Sequence, residues 1–126
     1  MIAFDTNYLV RHIVQDDKEQ SRLVSEILES ETQQGRSIRI IDLILMETAW
    51  VLETVYGFDR NAWSQVLSEL IEDSAFCFDD SARLRRVLKQ FSEGKADFSD
   101  YLIFSVVDSE GLKLKTFDKT LRKELQ

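Results

Sequence analysis

A chain of 126 residues, 44% hydrophobic and 31% charged, is long enough for one domain with a sizeable core and too short for two, and this composition excludes intrinsic disorder. Sixteen basic against twenty-three acidic residues leave a net charge of −7, which argues against nonspecific nucleic-acid binding through bulk charge; a single cysteine, Cys77, excludes an internal disulfide and a cysteine zinc site. No apolar run approaches the roughly 20 residues of a bilayer span, and the opening MIAFDTN carries no basic leader. The expectation is one domain, residues 1–126, in the reducing cytoplasm, without membrane attachment.

In chain order, IAF at residues 2–4 reads as a short strand ending at Asp5. Residues 17–34 carry Leu23, Val24, Ile27 and Leu28 at helical spacing, with Gly35 as stop signal. IRII at 38–41 is a second strand, and Asp42 is the expected N-cap of a helix ending near Tyr56 and Gly57. Asp59 caps the next helix, where Trp63, Val66, Leu67, Leu70 and Ile71 form a core-facing stripe. AFCF at 75–78 is a third strand, followed by a helix with Leu84, Val87, Leu88 and Phe91 before Gly94. Residues 99–109 form another helix closed by Gly111, and LKLKTF at 112–117 alternates as a fourth strand running into Asp118. Strands alternating with helices imply right-handed crossovers. The predicted fold class is α/β, a short, mainly parallel sheet flanked by helices on both sides.

One helix poses a question. LILMETAWVL at 43–52 holds a single carboxylate, Glu47, among apolar residues, so Glu47 is expected to be at least partly buried and to need compensation. Ligands of an open parallel sheet bind at the carboxyl ends of its strands. Asp5 follows the first strand, Asp118 the last, Asp97 and Asp100 open the helix before the last strand, and Glu47 lies just over one turn into the helix after the second. Four segments thus deliver carboxylates to one edge, where they repel each other unless a cation is present. Oxygen-only ligation favours Mg²⁺ or Mn²⁺ over zinc, and such ions reverse the local field that the net charge creates. Thr6, Asn7, Ser99 and Thr116 add hydroxyl and amide groups that hold water or orient carboxylates.

Taken singly, each acid has a plainer role. Asp5 can cap a helix beginning at Thr6, Asp97 and Asp100 are favoured at a helix start by the dipole, Asp118 can be a turn residue, and Glu47 can pair with an arginine. One metal site explains all of them together. The RLRR run at 83–86 reads as a solvated helix face, His12 as a surface or helix-end residue, and Trp50 and Trp63 as core or interface groups. A receiver-type phosphoacceptor is disfavoured because its acidic pair, Asp79 and Asp80, follows the third predicted strand rather than the first.

DTNYLVR at 5–11, METAWVLETVYG at 46–57, ADFSDYLI at 96–103 and TFDK at 116–119 resemble the four acidic motifs of PIN-domain ribonucleases, most closely VapC-type toxins, over residues 1 to about 123. The resemblance implies a PIN-like fold and hydrolysis of RNA phosphodiester bonds through metal-activated water, with Mg²⁺ or Mn²⁺ as cofactor. Asp5, Glu47, Asp100 and Asp118 match the acidic quartet, with Asp97 as an additional metal ligand, and Thr116 matches the hydroxyl residue two places before the last acid. Arg11 is the candidate for positioning a phosphate, and Arg83, Arg85, Arg86 and Lys89 are further candidates to contact RNA. The implied partners are an RNA substrate, a cognate antitoxin that inserts a basic side chain among the carboxylates, and a second copy in a homodimer. The competing reading is a PIN-like module that binds RNA or protein without cleaving.

Overall fold

The sequence folds, in a computed structural model that describes residues 1–125, into a mostly helical structure built on a very short parallel sheet. Helix α1 (Thr6–Val14) starts where Asp5 accepts the Tyr8 amide at 3.0 Å, and α2 (Lys18–Gln33) where Asp17 accepts the Gln20 amide at 2.9 Å. Strand β1 (Ile38–Ile40) follows, then α3 (Asp42–Thr54), α4 (Arg60–Glu72), β2 (Phe76–Phe78), α5 (Ser81–Glu93), α6 (Phe98–Ser109) and α7 (Lys119–Glu124). Ionisable N-caps recur because a carboxylate satisfies orphan amides and meets the positive end of the helix dipole. Asp59, Asp80 and Asp118 cap α4, α5 and α7 in this way.

β1 and β2 pair in parallel, Ile38 with Phe76 and Ile40 with Phe78, and the two intervening helices form the crossover. Residues 2–4 add a single parallel bridge, Ala3 to Arg39, on the other edge of β1. The expected first strand is therefore present only as one bridge. Ile38, Ile40, Phe76 and Phe78 are buried, whereas Arg39 and Cys77, which alternate with them, are half-buried. The buried face of the sheet meets Leu9, Val24, Leu45, Leu52, Leu67 and Leu84, one or two from each surrounding helix, in one continuous core. Burial of these side chains at roughly 1.5–3 kcal/mol each dominates the stability, since so short a ladder contributes few hydrogen bonds.

Four expectations need correction. LKLKTF at 112–117 forms no strand: Leu112 donates to Val107 at 3.1 Å as the closing bond of α6, the Asp118 amide turns back to Thr116 Oγ1 at 3.1 Å, and no ladder forms between them. Alternation specifies a strand only when an edge is available, and this segment instead lines a cavity of about 940 Å³ with Phe104 and Leu125, leaving Phe117 98% exposed. Asp42 is not an N-cap but the first residue of α3, which Ile41 precedes without a side-chain cap; the Asp42 carboxylate is taken by Arg83. Leu23 lies outside the core face of α2, where Val24 is the buried member. Arg83 leaves the solvated face assigned to RLRR: it is buried, with Nη2 2.6 Å from Asp42 and Nη1 donating to Ser105 at 3.0 Å.

Candidate active site

Asp5 is held by its capping role. Oδ1 takes the Tyr8 amide, the residue is exposed, and Oδ2 has no protein hydrogen-bond partner among the described residues. Asp118 repeats the arrangement at α7, with Oδ1 accepting the Leu121 amide at 2.8 Å and Thr116 Oγ1 accepting the Asp118 amide. At the start of α6, Asp100 Oδ2 accepts the Asp97 amide at 3.3 Å, while the Asp97 carbonyl accepts the Asp100 amide at 3.0 Å. The half-buried Asp100 carboxyl is pushed above the usual carboxylate range, chiefly by burial and further by the charges of Asp97 and Asp118; the hydrogen bond from the Asp97 amide acts in the opposite sense.

Glu47 is exposed, contrary to the burial expected of it. Leu43, Glu47 and Trp50 share one side of α3 at i, i+4 and i+7, but that side faces solvent: Leu43 is 70% and Trp50 62% exposed, and the core side is made by Leu45, Thr48 and Leu52. The apolar residues around it in sequence thus do not bury this residue. Among the described residues its one bond is from the buried Thr6, whose Oγ1 donates to Glu47 Oε1 and joins the first predicted motif to the second. Glu47 also lines an open cavity of about 560 Å³ with Leu43, Met46, Trp50, Asp97 and Ser99.

The acids are therefore linked in series. Asp5 precedes Thr6, Thr6 binds Glu47, Glu47 shares a cavity with Asp97, and Asp97 and Asp118 both act on Asp100. Among the described residues none of the five forms an ion pair, although six other acids do. A set of uncompensated carboxylates flanked by hydroxyls fits a hard divalent cation. No group of three or more Asp, Glu, His or Cys side chains among the described residues is arranged close enough to hold an ion, so the structure brings the donors to one neighbourhood without assembling a coordination shell. Ser99 is half-buried at this edge, and Asn7 is exposed on the first turn of α1.

Arg11 is engaged elsewhere. Its guanidinium pairs with Asp16 and lies 3.3 Å from the Tyr56 hydroxyl, which itself donates to Asp16 at 3.1 Å. The spacing of these residues, 40 and 45 positions apart, gave no sequence signal for the cluster. Of the other basic candidates, Arg85, Arg86 and Lys89 are exposed on α5. Glu53, at i+3 from Trp50, lines the same cavity; the outward register of Leu43, Glu47 and Trp50 is the sequence signal for it.

The PIN-domain family model matches residues 2–123. The chain belongs to the PIN-domain family, whose members are generally metal-dependent nucleases acting on RNA. Comparison with curated proteins and with solved structures gives no match. No helix among the described residues is long and apolar enough to cross a membrane.

Proposed function

We propose that the chain is a Mg²⁺- or Mn²⁺-dependent endoribonuclease of VapC type, the toxin of a toxin–antitoxin pair. The observation that carries this reading is the series Asp5, Glu47, Asp97, Asp100 and Asp118, drawn from four segments and free of ion pairs among the described residues. Asp5, Glu47, Asp100 and Asp118 would hold the cation, with Asp97 beside them. When bound, such an ion activates water and offsets charge at the scissile phosphate. The chain's own residues do the positioning. Helix caps fix one oxygen of Asp5 and of Asp118, Thr6 orients Glu47, and Thr116 holds the backbone of Asp118. Uncompensated negative charge at this edge repels RNA in the absence of metal, so substrate engagement and cation binding are coupled. For Arg11 to position a phosphate, it would have to exchange Asp16 for that phosphate. The same proposal includes a cytoplasmic setting, a single domain, a homodimer, and an antitoxin whose basic side chain replaces the missing positive charge.

One observation favours a second reading, a PIN-like module that binds RNA or protein without cleaving. Asp5 and Asp118 serve as helix caps, and among the described residues the acids are not gathered into an ion-holding group. Partner-free protein incubated with end-labelled transfer RNA and structured RNA, in Mn²⁺ or in EDTA, beside Asp5→Asn prepared identically, separates the two. Cutting that needs metal and disappears in the variant supports the nuclease. No cutting, together with no thermal shift in Mn²⁺, supports the binding module.

A further inference from the structure

The outward side of α3 bears a large aromatic that does nothing for the core. Trp50 is 62% exposed, one helical turn beyond Glu47, and lines the cavity that also contains Glu47, Asp97 and Ser99. Glu53 completes that wall, and among the described residues its carboxylate forms neither an ion pair nor a hydrogen bond. Resting on the ribonuclease reading, we propose that this cavity seats an unpaired RNA base next to the scissile phosphate, with Trp50 as the stacking platform and Glu53 as acceptor for an amino group of the base.

Three features select this occupant. Single-stranded RNA is recognised by bases splayed onto aromatic side chains and hydrogen-bonded at their edges, and an exposed indole beside uncompensated acids offers both contacts. The cavity, about 560 Å³, lies within the range of small-molecule sites. Its three carboxylates, Glu47, Glu53 and Asp97, repel phosphate and acidic peptides but accept from neutral N–H donors. Adenine and cytosine present an exocyclic amino group to such an acceptor, whereas uracil presents only a ring N–H. The same carboxylates disfavour a second copy as occupant, because a two-fold contact centred here would bring like charges together.

The chain's two tryptophans provide the test, since Trp63 is buried at 4% exposure and Trp50 is exposed. In Trp63→Phe, with EDTA present, emission from Trp50 is followed as adenosine, cytidine or uridine is added. The expected result is saturable quenching, stronger with adenosine and cytidine than with uridine, and a smaller difference in a Glu53→Gln background. In Mn²⁺, Trp50→Ala should raise KM for RNA about tenfold with little change in kcat, and Trp50→Phe should recover most of that loss. Absence of quenching by all three nucleosides, or an unchanged KM in Trp50→Ala, overturns the proposal. Conversion of a dimer to a monomer by Trp50→Ala overturns it in favour of a contact between copies. Cleavage with KM unaffected by Trp50→Ala sinks the base seat and leaves the nuclease standing, whereas nucleoside quenching without any cleavage does the reverse.

Discussion

Thr6 donates its hydroxyl to Glu47 across 41 residues of sequence, tying the first turn of α1 to the outward side of α3. Because Thr6 is buried and Glu47 exposed, the bond spends little on desolvation and acts mainly to fix a rotamer. Thr6→Val keeps the branched shape and removes the donor. Stability should fall by no more than about 1 kcal/mol, while Mn²⁺ affinity measured by titration calorimetry should fall roughly tenfold or more. Thr6→Ser should restore it. Unchanged affinity would make the bond a purely structural tie.

Asparagine is as good an N-cap as aspartate, so Asp5→Asn and Asp118→Asn remove charge while keeping the helix starts. Both variants, and Glu47→Gln, should melt no lower than wild type without metal and lose the Mn²⁺-induced rise in Tm. Asp5→Ala should in addition lose about 1 kcal/mol from the vacated cap. Should the metal response survive in any one of the charge variants, that residue lies outside a shared site.

Arg83 is tied by its two contacts, to Asp42 at 2.6 Å and to Ser105 at 3.0 Å, with its side chain 8% exposed. Arg83→Met leaves Asp42 without its partner and should cost about 3 kcal/mol in urea unfolding. Arg85→Gln and Arg86→Gln should leave stability within about 0.5 kcal/mol. If these exposed arginines contact RNA, only they should weaken its binding and reduce its salt dependence, as seen by filter binding at two salt concentrations.

Two glycines should respond to alanine for different reasons. A Cβ at Gly94 would meet Tyr101 Oη at 2.0 Å and the Gln90 carbonyl at 2.8 Å, inside the cluster where the Tyr101 hydroxyl bonds Glu124. Gly111 has open space around it but a φ of +73, which turns the following Leu112 amide back onto the Val107 carbonyl to close α6. Gly111→Ala should cost about 1 kcal/mol through backbone strain, and Gly94→Ala about 1–3 kcal/mol through overpacking. Thermal denaturation of the pair, with Tyr101→Phe combined with Gly94→Ala as relief of the clash, checks the assignment.

His12 packs against the edge of Phe76, its ring centroid 5.1 Å away, and shares a cavity with Glu69 and Asp73. Burial lowers its pKa below the ordinary value, with the Asp73 charge partly opposing. The unfolded chain therefore takes up this proton first as pH falls. Stability should decline as pH drops through about 6.5 and stop declining from this cause once the folded-state pKa is passed. As the chain's one histidine, His12 gives a single set of imidazole NMR signals for the folded-state titration, and the difference in urea midpoint between wild type and His12→Gln isolates its share.

Much of the order of elements could be read from periodicity, because α4 and α5 bury the stripes Trp63, Leu67, Leu70, Ile71 and Leu84, Val87, Phe91 that their spacing announces. Local capping chemistry was equally legible at Asp5 and Asp59. Periodicity does not say which side of an apolar helix faces solvent, so the burial expected of Glu47 fails and Trp50 stays open between core and interface, while the core takes Leu45 and Leu52. Nor could alternation supply the missing edge for residues 112–117. The pairing of Arg83 with Asp42, 41 positions apart, depends on a tertiary approach that no local pattern encodes. The acids themselves were visible as residues; their linkage through Thr6 was not.

The absence of a strand before Asp118 means that the last acid is moored from behind. Leu121, three residues beyond it and 2% exposed, plugs into the core, while Glu124 accepts the Lys95 amide at 2.8 Å and the Tyr101 hydroxyl. In front, residues 113–117 offer few protein acceptors to their amides, so they are expected to exchange with solvent far faster than the amides of α6. Asp118 thus sits at the start of a short helix that Leu121 and Glu124 hold to the rest of the structure. The geometry at the acidic edge is set as much by the fit of one leucine as by the carboxylates themselves.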